Sequence, residues 1–323
     1  MGNSSSKPIV QPQYDSSMPP AFHFSRTRHM VIACSNREFH CFPTEHSYER
    51  RKNTRKSGAP VTLDDGALGV PLLTLERSNL FQRAFDSDAP YCRIYKYMLQ
   101  KSSEAPLNER CEMVHKSGEL VLYKMPFCEV KKSWSRGLRT CYELSIWSVD
   151  GIQKLVMIEH RWGSDLDTKI GPWNVQWRQE GFESFSLTTI PDEMPSLLDD
   201  EETIKRKKQN KTKISDSKRY LCAKFSTTGK SHTLRSFAKL ADLCVGEIDI
   251  ETDAASYGLY SVPWYTQVTA CMGLILTLVQ MEKREDRNKR SRRRMGSGFT
   301  LNPLGPLNTA GPTRALNNTN PFF

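Results

Sequence analysis

The sequence predicts a mainly β (α+β) protein: a closed antiparallel β-barrel around one buried hydrophobic helix near the C-terminus, with disordered termini. Two observations carry this expectation. Short β-branched or aromatic runs separated by turn residues recur from Gly66 to Ile250, the pattern of successive antiparallel strands. They end in 28 uncharged residues, Ala254 to Met281, followed at once by the basic run from Lys283 to Arg294. A helix that is apolar on every side has to be shielded on every side. A barrel lumen does this, and closing the sheet also removes its exposed strand edges. With 323 residues, 38% of them hydrophobic, and a mean hydropathy of −0.56, the chain suits one core plus sizeable disordered parts.

Taken in order, residues 1–65 are rich in Ser, Pro, Gln and charge and read as a disordered basic arm. Within it only His29–Cys34 is apolar enough for a strand. The barrel is expected over residues 66–294. Its strands are Val70–Leu75, Cys92–Met98, Glu119–Lys124, Cys141–Val149, Lys154–Trp162, Asn174–Trp177, Phe182–Leu187, Arg219–Phe225 and Cys244–Ile250. The clearest pair joins CYELSIWSV to KLVMIEHRW through Asp150-Gly151, where Gly accepts the positive φ of a tight hairpin turn. An insertion at 191–218, acidic first and basic after, lacks apolar periodicity and reads as an exposed loop. Its KRKK at Lys205–Lys208 reads as a solvated linker or as a nuclear localisation signal.

The helix is placed from Pro263, which suits a first helical turn, to Met281. Thr266, Gln267, Thr269, Thr277 and Gln280 are a heavy polar load for a lipid-facing span, and acceptable in a core helix whose neighbours supply hydrogen bonds. A single membrane span over 263–281 stands as the alternative, being long enough to cross. The Asn-, Pro- and Gly-rich tail, 295–323, is expected to be disordered.

Short strands ending in one hydrophobic helix resemble the tubby C-terminal-like superfamily, which includes the LURP-one-related proteins and the scramblases. The similarity is to its uncharacterised fungal members. It rests on LLTLERSNLFQRAFDSDAPYCRIYKY (Leu72–Tyr97), on GIQKLVMIEHRW (Gly151–Trp162) and on the apolar helix running into KREDRNKRSRRR, and covers Leu68 to Arg294. It implies a barrel wrapped around the helix. No matching motif carries that family's lipid-binding residues onto this chain.

Function is read from charge. The 46 Lys+Arg exceed the 36 Asp+Glu by 10, and the excess is clustered. Arg50, Arg51, Lys52, Arg55 and Lys56 form one group; Lys283, Arg284, Arg287, Lys289, Arg290, Arg292, Arg293 and Arg294 form another, with two acids among them. Such clusters mark an anionic partner. MGNSSSK presents Gly2 and Ser6 in the M-G-x-x-x-[ST] pattern of N-myristoylation. One acyl chain binds membranes only marginally, and a polybasic patch is the second signal it needs. The chain is therefore expected to be a non-enzymatic lipid-binding or adaptor protein, cytoplasmic and peripheral on acidic membrane lipids. The alternative is a nuclear or nucleic-acid-binding basic protein. That reading is weaker because aromatics are not interleaved with the basic runs as stacking on bases requires; a viral matrix-type protein is a minor third.

Enzyme motifs are absent from the sequence: no GxSxG, P-loop, GxGxxG or HExxH, and no Cys or His pair at metal spacing. No cofactor or metal is expected. Nine scattered cysteines without a CxxC read as a reducing compartment, and no secretory signal is seen. Finally, Asn320, Pro321 and Phe322 form an Asn-Pro-Phe tripeptide similar to the ligands of EH domains in endocytic adaptors. Asn and Pro favour the turn that would present the ring.

Overall fold

A computed structural model describes Phe24 and residues 26–35, 38–58, 62–64, 66–78, 89–104, 109–135, 139–148, 151–161, 163–181, 183–209, 219–228, 237–247 and 262–296. Thirteen strands appear in chain order: β1 (Arg26–Ser35), β2 (Glu38–Phe42), β3 (Leu73–Arg77), β4 (Cys92–Lys101), β5 (Glu112–Ser117), β6 (Leu120–Ser135), β7 (Arg139–Ser148), β8 (Gly151–Glu159), β9 (Leu166–Ile170), β10 (Trp173–Gln179), β11 (Ser184–Thr189), β12 (Leu221–Thr227) and β13 (Ala238–Glu247). The helices are α1 (Glu45–Ser57), α2 (Glu201–Gln209) and α3 (Trp264–Gly296).

Every strand pairing is antiparallel, and most join neighbours in sequence. Two pairings close the ring. β1 pairs with β13, Arg26 opposite Glu247 and Cys34 opposite Ala238, and β4 pairs with β6 along their whole overlap. Of the thirteen strands β5 alone lies outside the closure, leaving a twelve-stranded barrel. β4 occupies one edge of β6 from Leu120 to Val130, so β5 and β7 share the other edge, β5 on Leu120–Lys124 and β7 on Cys128–Ser135. The long β6 tolerates Pro126 because the β4–β6 ladder shifts register there: Ile94 faces Cys128 and Tyr95 faces Pro126. Phe127 is the extra residue of this bulge, where a missing N–H costs least. In the expected hairpin, Ser148 pairs with Gly151, whose φ is +118°.

The lumen is filled by α3. Residues 266–279 are buried without a gap, so no helical face in that stretch meets water. A Cβ on Gly273 would lie 3.0 Å from Leu243 Cδ2 and 3.4 Å from Ile32 Cδ1; only a glycine lets the helix backbone approach β1 and β13 so closely. Burying Leu274, Ile275, Leu276 and Leu278, each 0% exposed, stabilises by about 1.5–3 kcal/mol per side chain. Most of the polar load is absorbed, although among the described residues Gln267 Oε1 and Gln280 Nε2 are buried without a hydrogen-bond partner. Thr266 Oγ1 donates to Glu247 Oε1 (2.8 Å), Gln267 Nε2 to the Val262 carbonyl (2.7 Å), and Thr269 and Thr277 to the carbonyls of Tyr265 (3.0 Å) and Gly273 (2.8 Å).

The single-span alternative is thereby corrected: among the described residues no helix is long and apolar enough to cross a membrane. α3 also runs past the expected end at Met281 to Gly296. Up to Val279 the chain forms one compact unit, and residues 280–323 form another.

The expected boundary at residue 66 is corrected as well. β1, β2 and α1 lie in the stretch read as a disordered arm, and β1 supplies one side of the barrel's closure. The 191–218 insertion is not wholly a loop, because Glu201–Gln209 forms α2; residues 210–218 lie outside the described residues, as do 297–323 and, Phe24 apart, 1–25.

Candidate functional site: a cationic cavity under helix α1

Alternation along a strand sends successive side chains to opposite faces. On β1 Ile32 reaches α3, so Val31, Ala33 and Ser35 face outward. On this outer surface α1 is seated. Its N-cap is Thr44, whose side chain accepts from the Ser47 N–H (3.1 Å), and its C-terminus is closed by Gly58 at φ +66°, both ordinary helix-ending devices. Tyr48 packs with Val31, Ala33 and Phe42. Phe237 stacks on Tyr48 with ring centroids 5.5 Å apart and meets Phe42 edge-on at 6.1 Å.

Beside this anchor lies a cavity of about 540 Å³. α1 contributes Arg51 and Arg55, one turn apart and so on one helical face. β1 and β2 contribute Ser35, Glu38, His40 and Phe42, β4 contributes Tyr97, and β5 and β6 contribute Val114, His115 and Leu122. Val114 and His115 both line it because β5 bulges there: Met113 faces Tyr123 and His115 faces Leu122. Alternation would otherwise send one of them away.

The cavity is electropositive. The Arg55 guanidinium donates to Ser35 Oγ and lies 5.2 Å from the Phe237 ring centroid. Arg51 has no carboxylate partner among the described residues, and burial followed by the repulsion of Arg55 holds its pKa below the ordinary arginine value. His40 reports the same field. Burial first, then Arg51, Arg55 and Lys124, push its pKa down to about 3, so it is neutral, its Nδ1 2.9 Å from Thr74 Oγ1. Glu38 is the one carboxylate of the lining, and burial, then Glu76, raise its pKa.

The structure therefore divides the first basic cluster. Arg50 pairs with Asp64 and Lys52 with Glu49, Arg51 and Arg55 turn to the cavity, and Lys56 is exposed. In the second cluster Lys283 and Arg284 are half-buried and Arg287, Lys289 and Arg290 exposed, while the side chains of Arg292, Arg293 and Arg294 lie outside the described residues. Gly2, Asn320, Pro321 and Phe322 also lie outside them.

Two further clusters escape a linear reading. Cys271 of α3 feels Cys128, Cys41 and Cys92, and burial first raises its thiol pKa well above the ordinary value and keeps it neutral; among the described residues no group of His, Cys, Asp or Glu is arranged to hold a metal ion. Asp167 collects His160 Nε2 at 2.7 Å, Gln176 Nε2 at 2.8 Å, the Leu197 N–H at 2.8 Å and Ser196 Oγ at 3.1 Å. Ser196 thus donates to the carboxylate rather than to an imidazole, which is a docking joint and not the geometry of an activated nucleophile.

A signal for the cavity existed: Thr44 as N-cap, Glu45 in the first turn, Arg55 and Lys56 in the last, and Gly58 beyond it. Given that helix, the spacing of Arg51 and Arg55 follows. The contribution of β5 has no such signal.

Comparison with known proteins places the chain. It is 28% identical over 287 residues to protein DIA1 of Saccharomyces cerevisiae, covering 83% of each chain. Two uncharacterized proteins of the same yeast match at 27%: YOR385W over 82% of this chain and 91% of its own length, and YNL165W over 89% and 76%. No solved structure matches. The expected tubby and scramblase kinship is overturned, because the family model that matches is a different one and takes in β1, β2 and α1, which that resemblance left out. Matched to the DIA1 family model over residues 25–285, the chain belongs to the DIA1 family.

Proposed function

We propose that this protein is a non-enzymatic binding protein of acidic membrane surfaces, held there by its exposed cationic helix and by an acyl chain on Gly2. One observation carries the reading: Glu285–Ser291 of α3 is exposed, within a run, Lys283–Arg294, that has eight basic residues and two acids. Each Lys or Arg near an anionic leaflet is worth about 1 kcal/mol. Six net charges thus turn the marginal binding of one myristoyl chain, with an association constant on the order of 10⁴ M⁻¹, into stable binding. The protein would then be cytoplasmic and peripheral.

Co-sedimentation with vesicles tests this. Protein with its N-terminus acylated should pellet with phosphatidylserine-containing vesicles and stay in solution with phosphatidylcholine alone. Charge reversal at Arg287, Lys289 and Arg290 should weaken binding at least about tenfold, and Gly2→Ala should weaken it further. Equal pelleting of the charge-reversed protein, or RNA retention without vesicle binding, would sink the membrane reading and favour a nucleic-acid partner.

A further inference from the structure

We propose that the cavity under α1 binds a small amphiphile with a phosphate-monoester head, the head held by Arg51 and Arg55 and the apolar body lying against Phe42, Leu122 and Phe237. This does not rest on the membrane reading, which concerns other residues.

Volume, charge and lining point the same way. About 540 Å³ falls within the range of small-molecule sites, which are mostly apolar with a few converging polar groups. Here the converging groups are two guanidiniums on adjacent turns of one helix. A guanidinium is planar and always charged, and it meets phosphate oxygens with paired N–H donors. Two of them match a dianionic monoester better than a single carboxylate.

Arg51 is the most informative residue. A half-buried cation without a carboxylate partner among the described residues, beside a second arginine, raises the energy of the empty protein. An anion between the two would remove that repulsion. Arg55 is already orientated for the task by Ser35 Oγ and the face of Phe237, so little side-chain freedom is left to lose on binding. Tyr97 and His115 line the same space and add polar groups beside the two arginines.

Val70, Pro71 and Val114 complete the apolar lining. Val70 is 1% and Leu122 6% exposed, whereas Val114, on the bulge of β5, is 48% exposed. The lining therefore passes from buried to solvent-facing, as a ligand with a charged head and a short chain requires. Such a ligand could be a lipid monomer drawn from a bilayer or a free metabolite; the shared chemistry is the monoester head on an alkyl body.

Calorimetry on the full-length protein with decyl phosphate below its micellar concentration tests the proposal. Saturable one-to-one binding is expected, at least tenfold tighter than inorganic phosphate and absent for decanol. Arg51→Ala should lower affinity at least tenfold without lowering the unfolding midpoint, since Arg51 holds no other element in place; Leu122→Trp should block the body while leaving both arginines. Binding of decyl phosphate undiminished in Arg51→Ala, equal binding of decanol, or no saturable heat would each overturn it. A second arm separates the sources. If Arg51→Ala lowers retention on lysophosphatidic acid vesicles but not on phosphatidylserine vesicles, the ligand comes from the bilayer; equal retention on both, with decyl phosphate binding lost, assigns a soluble ligand.

Discussion

Glu247 enters the lumen between two arginines, its oxygens 2.7 Å from Arg26 Nε and 2.7 Å from Arg28 Nε, and accepts a third hydrogen bond from Thr266 of α3. The carboxylate is fully buried and the Arg28 side chain 8% exposed, while Arg26 is 27% exposed. Breaking a buried pair from one side costs about 3–5 kcal/mol because the remaining charge keeps its desolvation penalty; a partly exposed pair is worth about 0–1 kcal/mol. Glu247→Ala should therefore destabilise the barrel by about 3–5 kcal/mol in urea unfolding, and Arg26→Ala by under about 1 kcal/mol. Equal losses would mean that the partly exposed Arg26 matters as much as the buried carboxylate itself and that burial does not decide. In the sequence Glu247 is an unremarked acid at a strand end. Its importance arises from Arg26 and Arg28, about 220 residues earlier in the chain.

At the scale of elements, Asp167 fastens the 191–209 excursion to the barrel. It accepts from Leu197 N–H and Ser196 Oγ of the excursion and meets His160 and Gln176 of the wall. Asp199 Oδ2 accepts from the Ser196 N–H and Lys207 Nζ, and Asp200 Oδ1 from the Thr203 N–H, which starts α2. The Asp167 hydrogen bond raises the pKa of His160 above its ordinary value of 6.5, against the effect of burial. Burial would raise Asp167, but His160, the Leu197 N–H and Gln176 outweigh it and the pKa is lowered. The signs follow by linkage. The histidine's contribution is complete below about pH 6.5 and fades as pH rises through its raised folded value; the aspartate's is complete above about pH 3.9 and fades as pH falls through its lowered one. Stability should thus fall as pH rises above about 6.5 and through the raised folded value of His160, and His160→Gln should flatten that decline; an unchanged slope would remove His160 from the joint.

The same element shows why some of the barrel could be read and some could not. β7, β8 and β10 carry apolar residues at every second position, Leu144 and Ile146, Leu155 and Met157, Val175 and Trp177, all buried, and the 266–279 stretch of α3 is uncharged on every side. β9, LDTKI, has Asp167 and Thr168 buried at 0%, and three polar residues in five resemble a loop until their partners are known. β5, EMVHKS, is largely exposed and has no pattern to show. α1 buries only Ser47 and Tyr48, so its sequence looks like a solvated charge run. Four of the thirteen residues lining the cavity, Arg51, Arg55, Val114 and His115, come from α1 and β5.

For the whole molecule, the ring closes late. Arg26 and Glu247 pair across 221 residues, and the helix that fills the lumen comes later still. Loop-closure entropy must be met before such contacts reward it, which makes folding slow for the size. Deleting residues 263–323 removes Leu274, Ile275, Leu276, Leu278 and Val279, all buried, a loss on the order of 10 kcal/mol against a total stability of about 5–15 kcal/mol. That protein should show no cooperative thermal transition and should bind hydrophobic dyes. Deleting 285–323 removes exposed helix beyond the compact unit that ends at Val279, and the urea midpoint should move by less than about 0.5 kcal/mol equivalent. The shorter chain should nevertheless lose its attachment to phosphatidylserine vesicles, so folding and membrane binding would part at one position in α3. A cooperative transition surviving the 263–323 deletion would show that the strands close on their own and that α3 is a guest in the lumen instead of its core.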